Sequence, residues 1–224
     1  MVQVINSFVP GQIVPSEGGF DLVRPEDGVV IGRIAEAGET GVAVAVASAR
    51  AAFTAQRNTP LHQRAKWLRD GAAALSADAA KVATLIAEDV GKPIRLARFE
   101  VQRGAEFMLA CASAIETLPA GEMLPLDAAA AGTGLIGFAR RVPYGVVAAI
   151  TPFNAPVNLL VQKVAPAIAA GNAVVAKPAP AGTRTALRLA ELFQAAGWSD
   201  GLFNVVTGDR AAALAVSAHP DVRA

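Results

Sequence analysis

The sequence predicts an α/β fold with a Rossmann-like, doubly wound parallel sheet, and two features of its C-terminal third indicate this. Three short apolar runs are rich in β-branched residues and lack polar alternation, as expected for strands buried on both faces. These runs are 146–150, 172–177 and 203–206. The segments between them, 157–170 and 183–196, have apolar residues at helical spacing and end in Gly171 and Gly197, glycines typical of helix C-termini. Strands that alternate with helices through short connections form a doubly wound parallel sheet.

The N-terminal part of the chain predicts short strands separated by turns. Residues 2–9 and 12–14 flank a Pro-Gly turn, and residues 22–24 and 29–34 flank the turn sequence PEDG. Proline presets φ and glycine accepts positive φ, so both sequences favour tight turns.

Four amphipathic helices are predicted next, because apolar residues recur at helical spacing. Their predicted limits are Thr40 to beyond Phe53, Pro60 to Leu75, Asp78 to Gly91, and Pro93 to about Leu118. Thr59 followed by Pro60 is interpreted as an N-cap and first helical residue.

The helical pattern stops between Gly121 and Tyr144, and this stretch predicts a hairpin-like excursion of two strands. The predicted organisation is N-terminal strands and helices over 1–121, the hairpin over 122–143, and the βαβαβ part over 144–224.

Composition and charge exclude several classes of protein. The chain is 53% apolar and 17% charged, which is outside the disordered range. Its 20 basic and 19 acidic residues give a net charge of +1. With so small a net charge, the chain lacks the strong electrostatic field that binds nucleic acid or a membrane surface, so a small-molecule partner is expected. No apolar run is long enough to span a bilayer and no secretory signal is visible, so a cytoplasmic location is expected.

The few cysteines and histidines predict neither a disulfide nor a metal site. Cys111 is the single cysteine, and His62 and His219 are far apart and lack ligand spacing. Cys111 lies inside a predicted helix without a cationic neighbour in sequence, so we interpret it as a buried structural thiol rather than a nucleophile.

Polar residues mark the carboxyl ends of two predicted strands, where ligands bind in open parallel sheets. The first run is followed by the loop Thr151–Pro156, which contains Asn154, and the second ends at Lys177 before Pro178. An amide held in a proline-stiffened loop is suited to donate to a developing oxyanion, and a lysine can donate to ribose hydroxyls. The alternatives are a turn residue or helix cap for Asn154 and a solvated charge for Lys177.

A longer pattern surrounds these residues. The segments RVPYGVVAAITPFNAP, QKVAPAIAAGN, VVAKPAP, AAGWSDGLFNVVTGD and HPDV follow one another from Arg141 to Val222. In this order they resemble the cofactor-binding core of the aldehyde dehydrogenase superfamily. The earlier segments DLVRPEDGVVIGRIAEAG and QRAKWLRDGAAAL resemble that superfamily's N-terminal strands and first helices, so the resemblance covers essentially the whole chain.

The resemblance implies a role for each matching position. Asn154 matches the oxyanion-hole amide, and Lys177, followed by Pro178, matches the lysine at the adenosine ribose. Lys163 matches a buried lysine linked to proton transfer; a lysine that satisfies backbone carbonyls is the alternative. The wall beside the nicotinamide is implied for Ile150, Thr151, Pro152 and Phe153. Arg140 and Arg141 are assigned to an oligomerisation hairpin, which implies a homo-oligomer.

Two departures from the superfamily pattern bear on the cofactor, NAD or NADP. Pro180 stands where the superfamily often has a glutamate that takes both ribose hydroxyls. Asp209, Arg210 and Ala213 replace small residues or glycines. Loss of the acid and gain of a cation at Arg210 predict tolerance of the 2′-phosphate of NADP.

A third departure concerns the chemistry. Superfamily members oxidise an aldehyde through a cysteine thiolate and a glutamate general base, which both lie C-terminal to the HPDV segment, whereas this chain ends at Ala224. We therefore expect a truncated protein without the catalytic domain, inactive alone and prone to self-association. The alternative function is a non-catalytic nucleotide-binding or assembly module.

Overall fold

The computed structural model describes residues 2–119 and 121–224. Met1 and Ala120, both within the predicted segment 1–121, lie outside the described residues. The strands are β1 Val4–Ile5, β2 Gly19–Val23, β3 Val30–Ala35, β4 Gly121–Leu124, β5 Gly137–Arg140, β6 Val146–Thr151, β7 Ala173–Pro178 and β8 Phe203–Val205. The helices are α1 Gly38–Gln56, α2 Leu61–Ala77, α3 Ala79–Val90, α4 Ile94–Thr117, α5 Pro156–Ala169, α6 Thr183–Ala195 and α7 Arg210–Ala218.

The central sheet is parallel, with the strand order β6-β7-β8. This confirms the α/β prediction with its βαβαβ order. Every residue of β7 and β8 is buried, as their uninterrupted apolar sequences predict. Val222 forms a parallel bridge to Val146 on the other side of β6. The chain therefore moves from β6 to β8 and then returns to the opposite side of β6, which makes the carboxyl end of β6 a topological switch point.

Helices cover this sheet and form one large core with it. α5 packs against β6 and β7, the strands it connects, and α6 packs against β8, whereas α7 packs with α1 against the sheet. α2 and α4 form an outer layer that packs on α5. The core includes a stacked pair, Phe193 and Trp198, whose ring centroids are 4.6 Å apart, and the Trp198 indole N–H donates to the backbone oxygen of Trp67 at 2.7 Å.

The N-terminal strands form a second sheet, ordered β1-β3-β2, and are shorter than predicted at the start. Only Val4–Ile5 of the predicted strand 2–9 pairs with β3, while Phe8 bridges Val205 of β8. The predicted strand at 12–14 is wrong, because that segment has no ladder partner. The PEDG turn is present, with Gly28 at φ +73°.

The four predicted helices are confirmed, with one correction at a helix start. α2 begins at Leu61 with Pro60 as its N-cap residue, so the N-cap assignment of Thr59 is wrong. The Thr59 hydroxyl instead donates to the side-chain oxygen of Gln56 at 2.8 Å. α3 ends at Gly91 in the left-handed conformation, as the sequence predicts. Among the described residues, no helix combines the length and apolarity required for a membrane span.

β4 and β5 pair in antiparallel fashion, which confirms the two-stranded excursion. Two short 3-10 turns, Leu126–Ala128 and Ala130–Gly132, lie between the strands. β4 begins at Gly121, one residue before the predicted hairpin boundary. The division of the chain into three segments stays a prediction.

Candidate functional site

The predicted site residues follow two neighbouring strands. In the register of the sheet, Ile150 pairs with Lys177 and Thr151 with Pro178. Because the strands are parallel, both carboxyl ends lie at one edge of the sheet, beside the switch point at β6. Paired residues of neighbouring strands lie on one face, so Ile150 and Lys177 share a face.

The loop after β6 is held by a hydrogen bond where it begins and is exposed to solvent over its next three residues. Thr151 is buried, and its backbone oxygen accepts a hydrogen bond from the Ala179 N–H at 2.8 Å. Pro152, Phe153 and Asn154 are exposed to solvent. This part of the loop is therefore accessible to a ligand while its start is tied to the segment that follows β7.

The side chain of Asn154 is exposed and makes no structural hydrogen bond among the described residues. Among the described residues, no hydrogen bond involves its amide, and Ala155 rather than Asn154 is the N-cap of α5. The alternative of a helix cap is therefore not observed. Its backbone is anchored, because the Lys92 Nζ donates to the Asn154 backbone oxygen at 2.7 Å.

The anchor includes Glu100, which the sequence analysis did not identify. Its carboxylate pairs with Lys92 and also accepts the backbone N–H groups of Val157 at 2.8 Å and Asn158 at 3.3 Å. The signal available in the sequence was an acidic residue on the same helix face as Ala97, Val101 and Gly104, all buried in α4. Such a residue must find partners when it is buried.

Lys177 is nearly covered at 4% exposure, so the alternative of a solvated charge is wrong. Its Nζ donates to the Pro178 backbone oxygen at 3.0 Å, which leaves two N–H donors for other acceptors. Burial lowers the pKa of Lys177, while the carboxylates of Asp209 and Glu36 oppose that shift. The pKa is lowered overall, so burial disfavours the charged form of the amine more than the two carboxylates favour it.

Glu36 is a second residue that the sequence analysis missed. Its carboxylate accepts the backbone N–H groups of Asp209 at 2.7 Å and Ala212 at 3.2 Å, at the N-terminus of α7. A carboxylate there satisfies orphan donors and interacts favourably with the helix dipole. Glu36 follows directly after β3, so it ties the N-terminal sheet to the edge that carries Lys177.

The remaining predicted cofactor residues surround this edge. Pro178 is buried as the last residue of β7, and Pro180 is half-buried at the start of the 3-10 turn Pro180–Gly182. Arg210 is exposed as the first residue of α7.

Two further reactive side chains lie on helices. Lys163 is exposed on α5, although the resemblance implies a buried lysine, and its amine has no hydrogen-bond partner among the described residues. Its alternative role, satisfying backbone carbonyls, is therefore not observed. Cys111 is half-buried in α4 against the core, and burial raises the pKa of its thiol. A raised pKa disfavours the thiolate, in keeping with a structural role.

Two surface depressions lie outside this edge. One, of about 340 Å³, is lined by β4 and β5, and the other, of about 650 Å³, lies between α1 and His219 with Asp221. Neither contains a predicted site residue.

Comparisons with known proteins give one consistent result. The profile of the Aldehyde dehydrogenase family matches residues 13–224. The 2-hydroxymuconic semialdehyde dehydrogenase of Pseudomonas sp. (strain CF600) is 38% identical over 229 residues, covering 98% of this chain and 46% of that protein.

Solved structures agree with the sequence comparison. Methylmalonate-semialdehyde dehydrogenase from Oceanimonas doudoroffii superposes with a TM-score of 0.91 at 32% identity, covering 99% of this chain and 44% of that one. PnpE in complex with nicotinamide adenine dinucleotide superposes with a TM-score of 0.88 at 33% identity, covering 99% and 45%. The chain thus spans less than half the length of each of these proteins.

Proposed function

The chain belongs to the aldehyde dehydrogenase family, and we propose that it supplies the NAD(P)-binding part of an enzyme that oxidises an aldehyde to a carboxylic acid. The observation that carries this proposal is the pairing of two strand ends at the switch point. One end carries the exposed side chain of Asn154, and the other carries the largely buried amine of Lys177. The crevice outside such strand ends is where α/β sheets bind dinucleotides.

The residues present fit a dinucleotide. The two free donors of the Lys177 amine suit ribose hydroxyls, and Ile150 to Phe153 offer a partly exposed apolar wall for the nicotinamide ring. The cofactor, when bound, accepts a hydride. The Asn154 amide is proposed to donate to the carbonyl oxygen of the substrate, where negative charge develops as a nucleophile attacks.

The proposed chemistry proceeds through a thiohemiacetal. A cysteine thiolate adds to the aldehyde carbon, a hydride leaves that carbon to give a thioester, and water activated by a glutamate releases the acid and regenerates the thiol. Cys111 does not suit this role, because its thiol packs against the core and its pKa is raised. We propose that the nucleophile and the general base lie outside these 224 residues and that this chain alone does not turn over.

Cofactor choice is proposed to include NADP. Pro180 carries no charge to repel a 2′-phosphate, and Arg210 offers an exposed cation at the start of α7. Glu36 and Asp209, close enough to Lys177 to affect its pKa, act in the opposite direction. The affinity for NADP relative to NAD therefore depends on whether Arg210 or the two carboxylates lie nearer the 2′ position of the adenosine ribose.

A binding titration tests the proposal. We expect NAD⁺ and NADP⁺ both to bind the 224-residue chain, and Lys177→Met to weaken binding about tenfold or more, because a charged donor to a hydroxyl is lost. Calorimetry would measure both affinities, with Lys66→Met, an exposed lysine of α2, as the matched control. Absence of binding would refute the cofactor assignment, and a clear NAD⁺ preference would refute the tolerance of NADP.

The alternative function is a non-catalytic nucleotide-binding or assembly module. Cys111, the single cysteine of the chain, is half-buried and its thiol pKa is raised, which favours this alternative because the residue is a poor nucleophile. Incubation of the chain with NAD(P)⁺ and simple aldehydes tests whether the chain alone is inactive, which both functions require. Cofactor binding without turnover fits both a module and an incomplete enzyme, whereas turnover would refute the proposed inactivity. A small-molecule aldehyde as substrate, a homo-oligomer formed through the β4–β5 hairpin and a cytoplasmic location complete the proposal.

A further inference from the structure

A buried carboxylate lies behind the loop that carries Asn154. Glu100 lies in the middle of the first half of α4 and is only 4% exposed. One turn further along the same helix, Gly104 allows close contact with α5, since a Cβ there would meet the Val157 Cγ1 at 2.7 Å. The two helices are thus packed closely enough for the Glu100 side chain to reach the N-terminus of α5.

The first oxygen of this carboxylate caps α5. Glu100 Oε1 accepts the N–H groups of Val157 at 2.8 Å and Asn158 at 3.3 Å. These are donors that a helix start leaves unpaired, and Ala155, at the N-cap position, has no side-chain acceptor to offer them. A charged acceptor also interacts favourably with the positive end of the helix dipole.

The second oxygen connects to the preceding residues of the loop. Glu100 Oε2 pairs with the Lys92 Nζ, and the same Nζ donates to the backbone oxygen of Asn154 at 2.7 Å. Lys92 directly follows Gly91, the left-handed residue at the end of α3. One ion pair therefore holds the loop on both sides of Ala155.

We propose that Glu100 and Lys92 are positioning residues that hold the Asn154 amide in place for the carbonyl oxygen of the substrate. Apart from their mutual ion pair, these two side chains bond to the backbone, at residue 154 and at residues 157 and 158. Since no hydrogen bond of the described residues involves the Asn154 side chain, its direction follows from how firmly that backbone is held. A displacement of about 1 Å in a positioned group costs up to about a hundredfold in rate. This inference rests on the proposed function, because it assigns a purpose to Asn154.

Three variants and a control test the inference in the 224-residue chain. Glu100→Gln keeps an acceptor but removes the charge, Lys92→Met removes the donor, and Lys92→Arg retains a cation. Glu116→Gln is the matched control, because Glu116 lies on the same helix and pairs with Arg69 in an exposed ion pair. Amide hydrogen exchange at Val157 and Asn158 and the side-chain NH₂ resonances of Asn154 are the readouts.

Glu100→Gln is expected to speed exchange at Val157 and Asn158 about tenfold or more, with little change elsewhere in the core. Lys92→Met is expected to shift and broaden the Asn154 side-chain resonances, and Lys92→Arg to restore them. Equal effects of Glu116→Gln, a uniform rise in exchange across the chain, or unchanged Asn154 resonances in Lys92→Met would overturn the proposal.

These measurements are made without cofactor, so they separate the two hypotheses. A chain that fails to bind NAD(P)⁺ but shows the local changes would refute the proposed function while leaving the anchor intact. If the chain binds cofactor but the Glu100 and Lys92 variants show no local change in exchange or resonances, only the positioning role of these two residues would be refuted.

Discussion

Asp89, near the end of α3, is a fully buried carboxylate whose environment opposes its charge. Burial raises its pKa from 3.8 to about 7, Arg184 acts in the opposite direction, and Glu88 adds to the rise. The Arg184 Nη1 lies 3.0 Å from Asp89 Oδ1 but also has Glu88 within reach. The guanidinium is therefore shared, and desolvation dominates.

This raised pKa predicts a pH-dependent stability. The folded state binds a proton that the unfolded state releases near pH 3.8, so the stabilisation is complete below that pH and is lost as pH rises to about 7. Asp89→Asn is expected to remove this loss, worth at most about 4 kcal/mol. Chemical denaturation at several values from pH 5 to pH 8 would measure it, with Asp70→Asn, at a half-buried acid of α2 that pairs with Lys66, as the control. Parallel pH profiles for wild type and Asp89→Asn would contradict the prediction.

The sequence predicts candidate site residues at two strand ends, but it does not predict the residues that anchor the segments around them. The positions of Asn154 and Lys177 could be predicted because Asn154 lies just after one apolar run and Lys177 lies at the end of the next. Glu100 and Glu36 could not, because their acceptor contacts span 57 and 173 residues. Such contacts exist only after α4 has packed on α5 and β3 has joined the edge near α7.

At the scale of elements, the start of α7 depends on a glycine as well as on Glu36. Gly208 has φ +135°, and a Cβ there would lie 2.3 Å from Glu36 Oε1. The glycine therefore meets two requirements, a backbone conformation that side chains disfavour and space for the capping carboxylate.

Gly208→Ala is expected to destabilise the protein by about 1–3 kcal/mol and more than Gly197→Ala does. Gly197 has φ +91°, and no atom lies within 4 Å of the place that a Cβ would occupy, so its substitution reports backbone strain alone. Urea denaturation of both variants gives the difference, which measures the Glu36 contact. Equal losses would show that the carboxylate moves aside without cost.

Element type was predictable along most of the chain, and the failures have local causes. The 12–14 segment has β-branched residues but pairs with no strand. The N–H of Gln12, its first residue, donates to the Val9 oxygen, and beyond the segment the Glu17 N–H donates to the Glu36 oxygen. α2 begins one residue later than a Thr59 cap would give, because the Thr59 hydroxyl already bonds to Gln56. Both cases are choices between competing hydrogen bonds, which periodicity does not describe.

At the scale of the whole molecule, the β4–β5 hairpin has little support from the rest of the chain. Met123 and Phe138 lie opposite each other in its register and are 71% and 73% exposed. Together with the aliphatic part of Arg140 they line the depression of about 340 Å³. An isolated two-stranded ribbon is marginal in water, and its open edges invite pairing.

We therefore expect the chain to self-associate through this hairpin. Met123→Ser combined with Phe138→Ser should shift the species seen by size-exclusion chromatography with light scattering towards the monomer, because apolar contact area between copies is lost. Ile13→Ser, at an isolated apolar residue that is 95% exposed, is the control and should leave the mass distribution unchanged. A wild-type chain that is monomeric at all concentrations, or an equal shift in Ile13→Ser, would rule out the hairpin as the surface of association.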